Sequence, residues 1–220
     1  MRTGMTRWTD RLVAALRRRR RTPAADLPPG PDPRGQRAAR PAAKPPPSAR
    51  DVIAVLAPQH ERVKALLAAV RQQTGHRRAT AFHTLRLTLA LHETAEERAI
   101  HPQALRQLGP YDRAASDRIA EEQTAGQTIT ALELVDVDSD QFNFTFGSFA
   151  ASVTEHAAAE EADEWPALRQ ITDPVVIRAM VRQLQAVTEL AGDQAAPGRQ
   201  ATFVQMQEWA RSRLPDPPPS

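Results

Sequence analysis

Residues 82–100 read FHTLRLTLALHETAEERAI. Phe82, Leu85, Leu89, His92, Glu96 and Ile100 recur at three- and four-residue steps, the spacing of one face of an α-helix. A histidine and a glutamate thus stand on an otherwise apolar stripe. Two other segments repeat the pattern. Ile53, Leu56, His60, Val63, Leu67 and Val70 form one stripe. Phe142, Phe146, Phe149, Val153, His156 and Glu160 form the other. A buried polar group without a partner costs about 1–3 kcal/mol, and a lone buried carboxylate costs more. Three histidines and two carboxylates on inward faces therefore call for a shared partner, and a metal ion is the obvious one.

The helical pattern extends outward from these stripes. Helices are expected over 51–73, 78–107, 111–135 and 140–170. Thr74-Gly75, Gly109-Pro110 and the segment Asp136–Asp140 (DVDSD) separate them, the last supplying N-cap residues for the fourth helix. Pro102 and Pro166 should kink or break the second and fourth helices near their ends. Short connections make sequential helices antiparallel neighbours. The expected fold is all-α, an up-down-up-down four-helix bundle over 48–170. A C-terminal helical extension over 171–220, with helices near 173–191 and 199–213, should pack outside it. His60, His92 and His156 fall near the midpoints of three helices, so they should share one layer of the bundle. The matching position on the third helix is Gln123. Glu96 and Glu160 each follow a histidine by four residues, which stacks the pair on one face. Glu161 is the neighbouring alternative to Glu160.

Composition narrows the chemistry. There are no cysteines among 220 residues, so thiolate sites and disulfides are excluded. His, Asp and Glu donors suit iron, manganese or zinc. No apolar run approaches the roughly 20 residues that span a bilayer, and no apolar segment follows the N-terminal arginines as in a signal peptide. The expected compartment is the cytoplasm. Charge is divided sharply: residues 1–50 carry 13 basic and 3 acidic side chains, whereas residues 51–220 carry 16 and 23. Residues 1–47 are expected to be a disordered, basic, Pro/Arg-rich tail. Within it, residues 5–21 could form a short helix with Trp8, Leu12 and Leu16 on one face, and Arg17 to Arg21 form a block suited to anionic membrane or nucleic acid.

The stretches DVIAVLAPQHERVKALL, LALHETAEERAIHPQALR and VTEHAAAEEADEWPALR resemble the hemerythrin-like (HHE) cation-binding domain. The resemblance covers 51–170 and implies a four-helix bundle with a non-haem di-iron centre. It implies metal ligation by His60, by the H-x-x-x-E pair His92 and Glu96, by His156, and by Glu160 or Glu161 as the bridging carboxylate. Glu93 falls where some members use an extra carboxylate. The third helix departs from the pattern. Members usually read E-E-H there, and this chain reads Glu121-Glu122-Gln123, with Gln127 four residues on. Three histidines with two or three carboxylates satisfy one iron, or two if the carboxylates bridge, and because Gln123 stands in place of the third-helix histidine the expected stoichiometry is nearer one iron than two. Gly126 either leaves room for a small ligand or allows close helix packing. His76, His83 and His101 read as solvated, capping or packing residues, and Trp165 as core. The implied function is binding or sensing of O2, NO or peroxide. The alternatives are a peroxide-consuming iron enzyme and a metal-free bundle serving as an interaction protein.

Overall fold

A computed structural model describes residues 46–109 and 114–219. The chain divides into units of 1–44 and 45–220. The expectations for a tail helix and a Pro-rich linker lie outside the described residues. All regular structure among the described residues is helical: α1 (Ala49–Gln72), α2 (Gly75–Ala99), α3 (His101–Leu108), α4 (Ala114–Leu132), α5 (Asp140–Ala159), a π-helical turn (Glu160–Glu164), α6 (Trp165–Leu168), α7 (Pro174–Ala191) and α8 (Phe203–Arg213).

The starts and stops follow local chemistry. Ser48 opens α1, and its backbone N–H and hydroxyl both donate to the Asp51 carboxylate, at 2.6 and 3.1 Å. Two residues separate α1 from α2, so the two run antiparallel. Gly75 has a left-handed φ of 57°, which a residue with a Cβ adopts rarely. Its N–H donates to Asp138 at 2.8 Å, pinning this turn to the DVDSD segment. Ser139 from that segment caps α5, its Oγ accepting from Phe142 N at 3.1 Å.

Helices α1, α2, α4 and α5 close a four-membered ring of neighbours, in which each touches the next. Helix α7 lies on α1 and α2, and α8 lies on α2 and α4. Helix α2 is therefore covered on all sides, and every residue from Leu85 to Glu96 is buried. One end of the core is aromatic. Phe82 and Phe142 meet edge to face at 5.1 Å, and Phe142 stacks on Phe146 at 5.4 Å. Buried Arg78 lies over Phe142. Its guanidinium donates to Val70 O, Val137 O and Asn143 Oδ1 at 2.6–2.9 Å, so its charge is spent on fixing the helix ends.

Two expectations about helices need correction. The second helix is not continuous over 78–107. It stops at Ala99 and restarts at His101, with Pro102 in the first turn of α3, where its missing N–H costs nothing. The fourth helix is not regular over 140–170, because five residues, Glu160–Glu164, form a π-turn before Trp165. Both breaks matter at the site, since each re-aims the side chains that follow it.

Gly126 faces α8. A Cβ there would meet Phe203 Cε1 at 3.5 Å, an ordinary contact, so the residue faces the helix packed on α4 rather than a ligand space, and an alanine fits. Gly126→Ala is expected to raise stability by up to about 1 kcal/mol through helix propensity, or about 2–4 °C in Tm. Thermal unfolding checks this. Weaker metal binding by the variant would instead return Gly126 to the site.

Candidate metal centre

Four helical segments and the π-turn bring ionisable side chains to one layer, buried at its centre, with Glu121 exposed and Glu161 partly exposed at its edge. His60 comes from α1, His92, Glu93 and Glu96 from α2, Glu121 and Glu122 from α4, His156 from α5, and Glu160 and Glu161 from the π-turn. The expected residues converge. His60 Nε2 lies 3.5 Å from Glu160 Oε2 and 3.9 Å from Glu96 Oε1. His92 Nε2 is 3.1 Å from Glu96 Oε2, and His156 Nε2 is 3.2 Å from Glu160 Oε1. His60 Nε2, Glu96 Oε2 and both Glu160 oxygens are buried and form no hydrogen bond. Native structures rarely leave such atoms unsatisfied without a missing partner.

The outer nitrogens tell the same story. His60 Nδ1 pairs with Glu161 at 2.9 Å, His92 Nδ1 with Gln59 Oε1 at 3.0 Å, and His156 Nδ1 with Glu121 at 2.9 Å. Gln59 donates its amide N–H to Leu184 O at 2.7 Å, so its oxygen is left to accept from His92. That fixes the His92 proton on Nδ1 and turns the Nε2 lone pair inward. An outer hydrogen bond on one ring nitrogen with the other nitrogen free is how proteins hold histidines for a metal. Helix α7 thus reaches the site through the Leu184 backbone carbonyl, by way of the Gln59 side chain of α1.

The geometry revises several residues. Glu161 is half-exposed and meets the outer nitrogen of His60, with Lys64 Nζ 3.6 Å away, so it stands outside the ring that Glu160 joins. The π-turn explains the choice: its wider turn buries Glu160 and Glu164 together and leaves Glu161 at the edge. Gln123 and Gln127 are exposed. The inward residue of α4 is Glu122, one position earlier, with its side chain 9 % exposed. His101 is fully buried, contrary to a capping role: Nδ1 pairs with Glu164 at 3.0 Å and Nε2 with Glu122 at 2.9 Å. In an unbroken helix, nine residues from His92 would put His101 on the opposite face. The break at Ile100 cancels that offset. His76 is exposed, as expected, and Trp165 is buried with its ring 5.4 Å from that of His60.

Electrostatics follow from the crowding. Burial opposes charge on His60 and His156, but the carboxylates beside them win. Glu96, Glu160 and Glu161 raise His60 to about 9, and Glu160, Glu121 and Glu122 raise His156 to about 10. Burial and the neighbouring His60 push His92 down to about 3. Glu160 is buried, yet His156, His60 and His92 hold it down at about 2. Burial and Glu160 push Glu96 up to about 7, and burial with Glu122 nearby pushes Glu93 well above the carboxylate range. In the metal-free chain His60 and His156 therefore carry protons at pH 7, and a cation must displace them. Below pH 9, affinity should rise with pH by about tenfold per unit for each proton displaced. Competition titrations at pH 6.5 and 8.5 check this, and equal affinities would remove both histidines from the ligand set.

A cavity of about 710 Å³ opens beside this layer, between α4 and α5. Its walls include Leu89, Glu93, Phe149, Val153 and His156. Phe144, also on the wall, is 80 % exposed, and Glu93 Oε2 is buried there without a hydrogen bond.

Comparison with known families gives one match: the model described as Hemerythrin HHE cation binding domain covers residues 51–168. No match was found among curated proteins or among solved structures.

Proposed function

Because this chain belongs to the hemerythrin HHE cation-binding family, we propose that its bundle core holds iron and binds or senses O2, NO or peroxide there. The ligands in this reading are His60, His92, Glu96, His156 and Glu160. Glu161, Gln59 and Glu121 act one layer out, orienting the imidazoles. The observation that carries the reading is the set of buried, unbonded inner atoms on His60, Glu96 and Glu160. All the donors are imidazole or carboxylate, which fits iron and not a soft-metal site.

Iron bound there supplies reversible coordination and one-electron chemistry toward a small oxidant. The residues supply the rest. The Nδ1 bonds keep each imidazole in one tautomer. The cavity between α4 and α5 gives a small molecule a way to the layer, with Glu93 placed to share a proton with it. A peroxide-consuming enzyme would use the same ligands and rely on Glu93 more heavily. With Glu122 in the inward place, the glutamine at position 123 gives little support to a metal-free bundle. No described helix is long and apolar enough to cross a membrane. The basic block Arg17 to Arg21 fits weak, salt-sensitive contact with anionic lipid or nucleic acid.

The test is an optical spectrum of anaerobically purified, iron-loaded chain before and after O2, NO or peroxide. A spectral change with at least one of the three is expected, and sustained peroxide turnover that falls in Glu93→Gln favours the enzyme. A chain that takes up no iron, or whose iron responds to none of the three, overturns the proposal.

A further inference from the structure

We propose that the groove between α4 and α5 binds a single-chain amphipathic carboxylate of the fatty-acid class, with its acid group at Arg118 and its chain lying toward Phe144. Binding there needs no metal.

The groove is long and mostly apolar. Arg118, Ala125 and Thr128 of α4 line one wall, at steps that keep them on one helix face. Phe149 and Val153 of α5 line the other, with Leu89 contributed by α2. From Arg118 to Thr128 is ten residues of helix, or about 15 Å. The short connection between α4 and α5 makes them antiparallel, so Phe144, near the start of α5, stands at the end away from Arg118. Phe144 is largely exposed, which leaves an aromatic ring uncovered at the mouth. The volume of about 710 Å³ falls within the roughly 300–1,000 Å³ of sites for organic ligands. O2, NO or peroxide needs little more room than a water molecule, about 30 Å³.

Arg118 sets the polar end. It is 9 % exposed. Its Nη2 donates to Glu121 Oε1 at 2.8 Å, while Nε and Nη1 are buried without a hydrogen bond. A guanidinium stays charged and can only donate, and unmet donors on a buried charge are costly. A ligand carboxylate, which only accepts, answers that need with charge-assisted bonds. The acidic groups of the wall are turned to other partners. Glu121 Oε2 faces His156 Nδ1 at 2.9 Å, Glu122 faces His101 Nε2 at 2.9 Å and Glu160 faces His156 Nε2 at 3.2 Å. Glu155 is exposed on the rim, and Glu93 Oε2 has no hydrogen bond, so neither that oxygen nor Glu155 quenches the buried donors. An apolar trough about 15 Å long with a guanidinium at one end matches a hydrocarbon chain with an acid head.

The experiment is calorimetric titration of the full-length chain as purified with dodecanoate, kept below its micelle concentration. Saturable binding of one dodecanoate per chain is expected. Acetate, the head without the chain, and dodecyltrimethylammonium, the chain with the opposite charge, should not bind over the same range. Arg118→Gln should weaken dodecanoate at least about tenfold, the usual worth of a hydrogen bond to a charged group. Ala125→Phe, which fills the groove and leaves Arg118 in place, should weaken it at least as much. Arg211→Gln removes a guanidinium from α8, away from the groove, and should keep the wild-type affinity. Circular dichroism checks that each variant folds, and Ala125→Phe decides the matter if Arg118→Gln does not. A wild-type chain that does not bind dodecanoate overturns the proposal. So does equal binding of dodecyltrimethylammonium, or an unchanged affinity in either folded groove variant. None of these results bears on the iron reading, because no proposed iron ligand is altered and binding is measured without metal chemistry.

Discussion

Glu160→Ala is expected to lower the chain's iron affinity by more than about 100-fold. Loss of an outer orienting partner typically costs about 10–100-fold, and Glu160 is no outer partner. It is buried, both its oxygens lack hydrogen bonds, and each oxygen faces a different histidine. Glu161→Gln is the control. It keeps an acceptor near His60 Nδ1, so its effect should stay at or below the outer-partner range. Competition titration against a chelator of known affinity measures both. Equal affinities for Glu160→Ala and wild type would mean that the π-turn does not contribute a ligand. A loss in Glu161→Gln as large as in Glu160→Ala would put Glu161 inside the ring.

Phe142→Ala should cost about 3–5 kcal/mol, the usual range for a buried phenylalanine. That is a fall of roughly 6–20 °C in Tm for a domain of this size. Phe142 is fully buried, meets Phe82 and Phe146 ring to ring and lies under the Arg78 guanidinium. Its loss leaves a cavity and strips a buried cation of its aromatic face. Iron affinity should barely change, since His156 is about 21 Å further along the same helix. Thermal unfolding and metal titration of one preparation separate the two effects. A large drop in iron affinity would show that the aromatic end and the metal layer are coupled.

Much of this architecture is legible in the sequence, for a plain reason. The stripes around His60, His92 and His156 repeat at helical spacing, and burial of each stripe forces its histidine inward. The chain breaks at Thr74-Gly75 and DVDSD are equally readable, because glycine and capping residues act locally. Helix α2 was harder. Leu87 and Leu91 fall off its stripe yet are buried, because α7 and α8 cover the other side, and no local pattern reports a cover that arrives from about a hundred residues away. Buried Arg78 and Arg86 escaped for the same reason. Their partners are backbone carbonyls and side chains on distant segments, such as Val137 O for Arg78 and Arg199 O for Arg86.

The site was legible where helices are regular and misread where they break. Counting along an ideal helix puts His101 out of phase and cannot choose between Glu160 and Glu161. One break at Ile100 and one π-turn change both answers. On α4 the error was one residue. The helix midpoint and the motif both set Gln123 at the depth of the histidines, whereas the helix turns Glu122 inward and Gln123 out. Pro102 was a readable sign of the first break, since a proline in the first turn marks a new helix start. Nothing in EEADEW announces a π-turn, whose wider spacing puts Glu160 and Glu164 together in the buried layer.

The most direct test is crystallography of the iron-loaded chain with anomalous data collected at the iron edge. Anomalous density should lie among His60 Nε2, His92 Nε2, His156 Nε2 and the carboxylates of Glu96 and Glu160, in the middle layer of the bundle. Density elsewhere on the chain, or an iron-free layer in crystals of loaded protein, would contradict the account.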